Sequence, residues 1–173
     1  MRGSPSPFGM GTFPNASRFY RNSGIFMGIA GVSIVLFGLI LGPVFFLATA
    51  AGAGTGLVMG VIGPRMFLTL REEMLRQGFS HQTGRRNLVP TLLGVGPAFA
   101  ALAVALQEML VGNSPVLSAL LFLGALSHLS FITCIQGQRI SRELECLTLQ
   151  TSRSISMTWS VGGPLFRFES PNN

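Results

Sequence analysis

The sequence predicts an all-α integral membrane protein with four transmembrane helices, folded as two helical hairpins, and a C-terminal tail patterned for a short β-hairpin. Three observations carry that prediction. Only 10% of the 173 residues are charged, with a mean hydropathy of +0.52, whereas about a quarter of an average soluble domain is charged. Long uncharged runs are interrupted by strong turn signals. The 12 basic residues, all arginine, fall in clusters between those runs.

The first uncharged run, from Ile25 to Gly63, contains 39 residues. As a single helix it would be about 58 Å long, nearly twice a hydrocarbon core of about 30 Å. It must therefore fold back. Gly42-Pro43 is the break, because proline disfavours helix in the residue before it and cannot donate to a continuing ladder. Spans near 25–41 and 44–63 result, making a first hairpin over 25–63. Further on, Leu88–Val111 is apolar apart from Gln107 and Glu108, and Gly96-Pro97 inside it predicts a kink. Gly112-Asn113-Ser114-Pro115 is a turn with Pro115 placed to start a helix. Val116–Ile135 is the last span, completing a second hairpin over 88–135.

The arginines test the count independently. Arg2, Arg18 and Arg21 precede the first span, Arg65, Arg71, Arg76, Arg85 and Arg86 lie between the hairpins, and Arg139, Arg142, Arg153 and Arg167 follow the last. Four crossings put every one of them on the same side, the bias that the positive-inside rule predicts for short loops. Three crossings would split them. The expected location is the mitochondrial inner membrane with both termini in the matrix; a chloroplast or bacterial plasma membrane is the alternative.

Outside the spans, residues 1–24 are rich in Ser, Pro, Gly and Phe, and read as a flexible arm. Pro5, Pro7 and Pro14 would spoil an amphipathic targeting helix, so the arm is expected to be retained. The loop over 64–87 opens with a short amphipathic helix at 66–76, where Phe67, Leu70 and Met74 recur at helical spacing. Over 136–173, Ile140, Leu144 and Leu147 extend the fourth helix. Residues 154–161 then alternate polar and apolar, a strand signal; Gly162-Gly163-Pro164 is a turn, and Leu165–Glu169 is the return strand. A lone hairpin is marginal in water and needs a surface to rest on. Trp159, Phe166 and Phe168 are the candidate partner contacts.

Composition removes several chemistries. With no lysine there is no Schiff-base lysine and no P-loop lysine. The glycine-rich run at 50–56 lacks the Lys-Ser/Thr of a nucleotide loop. Cys134 and Cys146 form neither a metal nor a disulfide pattern. No catalytic constellation is visible, and neither a metal nor another cofactor is expected. The spans hold one imidazole, His128, which excludes a bis-histidine haem; Glu108 is their only acid. These two are the candidate intramembrane polar residues, His128 as a neutral helix-contact group and Glu108 close enough to the Gly112 turn to meet water. Gly52, Gly56 and Gly60, four apart on one helix face, form a candidate packing stripe. Net charge of +6 comes from arginines at membrane boundaries, so anionic phospholipid such as cardiolipin is the expected partner rather than nucleic acid. Arg65, Arg71, Arg76, Arg85, Arg86, Arg139 and Arg142 are the candidate headgroup contacts. Together these features predict a non-catalytic accessory or structural subunit of a membrane complex, of the respiratory chain or ATP synthase, bound to its other subunits. A small oligomeric transporter or channel, or an assembly factor for such a complex, is the alternative.

Overall fold

The computed structural model describes residues 12–13, 15–62, 88–112, 114–151, 155–160 and 163–168. The amphipathic helix expected at 66–76 lies outside them. Among the described residues, four helices are long and apolar enough to cross a membrane, the third through its stretch Gly94–Val111: α1 (Ala16–Leu41), α2 (Pro43–Ile62), α3 (Leu88–Val111) and α4 (Pro115–Thr151). Three strands complete the described chain: β1 (Thr12–Phe13), β2 (Ile155–Ser160) and β3 (Gly163–Phe168).

The hairpin turns lie where the Gly-Pro and Gly-Asn-Ser-Pro signals predict them. Gly42 separates α1 from α2 with a φ of +129°, backbone that an L side chain rarely adopts. Its N–H still donates to the Gly38 carbonyl at 3.2 Å. Gly112 ends α3 with a φ of +73° and donates to the Glu108 carbonyl at 2.9 Å, an αL cap. Ser114 then caps α4: its Oγ accepts the Leu117 N–H at 3.3 Å, and Pro115 opens the first turn. α3 runs through Pro97 as one continuous helix.

One boundary departs from expectation. The flexible arm read over residues 1–24 is helical from Ala16. Asn15 is the cause, because its Oδ1 accepts the Arg18 N–H at 2.9 Å and its carbonyl accepts the Phe19 N–H at 3.1 Å. An asparagine cap after Pro14 starts the helix nine residues before the apolar run at Ile25.

The chain divides into two compact units. One comprises residues 1–21, 65–88 and 139–173; the other comprises 22–64 and 89–138. In the first, β2 and β3 pair antiparallel from Ile155↔Phe168 to Ser160↔Gly163, and β1 adds a third strand through Thr12↔Thr158 and Phe13↔Met157. The tail hairpin therefore forms, and the N-terminal segment joins it. Ala16, Leu144, Leu147, Ile155, Met157 and Phe166 make its buried core, with Phe19, Tyr20 and Ile140 packed around them.

The second unit has the opposite interior. Its buried residues include Gly56, Gly60, Ala98, Ala105, Ala125, Thr49, Ser118, Ser127, His128 and Ser130, while Phe26, Ile29, Leu47, Phe99, Leu106 and Phe122 are exposed. Small residues let backbones approach inside a membrane bundle, and large apolar side chains face the surrounding lipid. α4 holds the unit together by touching α1, α2 and α3.

Candidate functional site, a polar three-helix junction

The candidate site is built on α4, which faces two glycine surfaces. A β-carbon on Gly52 would fall on the backbone of Gly124. One on Gly56 would stand 2.5 Å from the His128 carbonyl oxygen, and one on Gly60 would stand 2.8 Å from Ile135 Cβ. As α2 ascends from Gly52 to Gly60, α4 ascends from Gly124 to Ile135, so these two helices run parallel. The three sequence-identified glycines thus lie on a single contact.

A second glycine face, on α1, escaped the sequence reading. Gly24 and Gly28 abut Cys134, Gly31 abuts Phe131 and Ser130, and Gly38 abuts Thr49 of α2. Gly24, Gly31 and Gly38 recur every seven residues, a period that keeps one side of a helix toward a partner. That spacing was the available signal.

Hydrogen bonds fasten what the glycines bring together. Ser118 donates to the Ala105 carbonyl of α3 at 2.7 Å, and Ser127 donates to the Thr49 carbonyl of α2 at 2.9 Å. Gln136 donates to the Gly60 carbonyl at 3.2 Å. Between them sits His128, only 6% exposed. Its Nε2 lies 2.9 Å from the Gly94 carbonyl of α3, and its Nδ1 lies 3.0 Å from Thr55 Oγ1 of α2. A carbonyl can only accept, so Nε2 carries a proton. One imidazole joins three helices. Among the described residues, no buried side-chain polar atom lacks a hydrogen-bond partner.

Other sequence-identified residues are placed apart from this junction. Glu108 is half-buried in the last turn of α3. It stands fourteen residues beyond Gly94, about 21 Å along the axis, so it and His128 do not share a site. Arg139 is half-buried and Arg142 exposed on α4. Arg65, Arg71, Arg76, Arg85 and Arg86 lie outside the described residues, as do the side chains of Trp159 and Phe168.

Phe166 requires correction as a partner contact. It is 5% exposed, paired across the sheet with Met157 and 6.2 Å, ring to ring, from Tyr20. Burying its ring against Leu144, Leu147 and Met157 removes it from any partner's reach. A groove of about 280 Å³ beside the α1 N-terminus is lined by Asn15, Ser17, Glu145, Thr148, Leu149 and Ile155. Its polar groups have internal roles: Asn15 caps α1, and Glu145 meets Arg21 at 3.8 Å and Ser141 at 3.4 Å.

No protein-family model matches the chain, and the comparisons with curated proteins and with solved structures give no significant match.

Proposed function

We propose that this integral membrane protein is a non-catalytic accessory or structural subunit of a larger membrane complex. The observation that carries the reading is the use made of the bundle's polar side chains. Ser118, Ser127, Gln136 and His128 each bond a backbone carbonyl on a neighbouring helix, which makes them fasteners of a scaffold. The folded terminal segments add a second, water-type core suited to meeting soluble or peripheral neighbours.

The finer proposal is a subunit of the respiratory chain or ATP synthase, in the mitochondrial inner membrane with both termini in the matrix. Pairing of Thr12–Phe13 with Met157–Thr158 supports having the two ends on one side. The arginine clusters support contact with anionic headgroups such as those of cardiolipin.

The test is extraction in a mild detergent, followed by native electrophoresis and identification of co-migrating proteins and lipids. Stoichiometric recovery in a respiratory or ATP-synthesising assembly is the expected result. A chain that migrates alone as a monomer overturns the proposal, and one found only with assembly intermediates identifies an assembly factor instead.

A further inference from the structure

Two arginine pairs flank the first and last apolar runs of the chain. Arg18 and Arg21 lie on α1, Arg139 and Arg142 on α4. Each pair is spaced i,i+3, so its members are neighbours on one helix surface. Ala16 and Tyr20 of α1 pack with Leu144 and Leu147 of α4 around one core. At about 100° per residue, Arg18 falls on the side of α1 opposite Ala16 and Tyr20, and Arg142 on the side of α4 opposite Leu144 and Leu147. Both are exposed. Arg21 Nη1 reaches Glu145 Oε1 of α4 at 3.8 Å, which joins the two outward faces into one surface.

We propose that Arg18, Arg21, Arg139 and Arg142 form a single site for the headgroup of a phospholipid bearing two phosphates. The proposal deepens the headgroup contact put forward above and rests on it. It adds Arg18 and Arg21 to that contact and assigns it a lipid class.

Charge and arrangement both point to two phosphates. Over residues 15–22 and 136–151, four arginines stand against two acids, Glu143 and Glu145, leaving a net charge of +2. That balance matches a headgroup with one negative charge on each of two phosphates. Each helix brings one pair of guanidinium groups, whose planar donor forks suit phosphate oxygens. Among the described residues, no acidic side chain pairs with Arg18 or Arg142. The pair between Arg21 and Glu145 is about half-exposed on both sides, and exposed pairs of this kind are weak enough for a phosphate to compete.

Position along the helices favours a lipid over an acidic protein segment. Arg21 precedes Ile25, where the first apolar run begins, by four residues, and Arg139 follows Ile135 by four. Each step is about one helical turn, the depth of headgroups when the apolar runs fill the hydrocarbon. Ile25 and Ile29 follow Arg21 at helical spacing on α1, and both are exposed, so acyl chains below the arginines would meet apolar side chains.

The experiment reconstitutes the full chain in phosphatidylcholine nanodiscs doped with cardiolipin, or with twice as much phosphatidylglycerol to equalise phosphate. Native mass spectrometry then counts the lipids retained. Cardiolipin should be held in preference to phosphatidylglycerol. Arg18→Gln combined with Arg142→Gln should weaken its retention about twenty-five-fold, about fivefold for each arginine. Arg2→Gln combined with Arg153→Gln removes the same charge elsewhere and should leave retention unchanged. Glu145→Gln, which releases Arg21, should strengthen retention about fivefold. Circular dichroism verifies that each variant is folded, and the comparison of lipids on the parent chain requires no variant. Equal retention of cardiolipin and phosphatidylglycerol overturns the two-phosphate site while leaving the general headgroup contact standing. Anionic lipids held no better than phosphatidylcholine overturn both, and leave the patch to an acidic protein segment. A control double variant that weakens retention as much as the patch variant overturns the site, as does displacement of cardiolipin by millimolar pyrophosphate, which would mark a site for soluble phosphates.

Discussion

Gly56 of α2 lies so close to His128 of α4 that a β-carbon on the glycine would stand 2.5 Å from the histidine's carbonyl oxygen. Two residues earlier, Gly54 has nothing within 4 Å of the same hypothetical atom. The pair separates packing from helix propensity. Gly56→Ala should destabilise the bundle by about 1–3 kcal/mol through forced separation of the helices. Gly54→Ala should be neutral or stabilising by about 0.5–1 kcal/mol, because alanine is the better helix former. Reversible unfolding in mixed micelles measures both, and equal effects would remove the Gly56 contact from the account.

Gly42 presents the reverse case. There is open space around it, yet its φ of +129° excludes ordinary L side chains. Gly42→Ala should cost about 1–3 kcal/mol of backbone strain, although no atom would clash. The same unfolding assay reads it, and an unchanged midpoint would mean that the α1–α2 turn relaxes without loss.

Ser127 is fully buried and bonds the Thr49 carbonyl 78 positions away. Ser127→Ala removes that fastener with little change of volume. A loss of about 0.6 kcal/mol, and no more than about 1.7, is expected for such a bond between membrane helices. A larger loss would show that Ser127 also carries packing that alanine cannot replace.

In the other unit, Leu147 is completely buried against Met157 and Phe166. Leu147→Ala should cost that core about 2–5 kcal/mol and open the C-terminal strands to limited proteolysis. Asn15→Ala, which removes the α1 cap, should cost about 1 kcal/mol and speed amide exchange in the first turn of α1. Strands that remain protease-resistant in Leu147→Ala would show that the sheet does not depend on this core.

The four spans and their turns are legible in the residues alone, because each rests on local chemistry. A run of apolar residues has a length, proline lacks an N–H, and glycine tolerates φ values that other residues do not. The strand alternation after 154 and the packing face at Gly52, Gly56 and Gly60 were legible for the same reason. Nearby signals were overlooked rather than absent: Asn15 after Pro14 marks a helix start, and the seven-residue glycine period marks a second face of α1.

Which groups meet across the chain is set by the packing of the helices and the pairing of the strands. His128 joins residues 73 and 34 positions away, and no local pattern specifies either distance. Phe166 looked like a surface contact until the pairing of its strand placed it in a core, and β1 became a strand only because Met157 and Thr158 offered it an edge. A helix or a turn is set by neighbours in sequence, whereas a buried hydrogen bond depends on which backbones come close enough to share it.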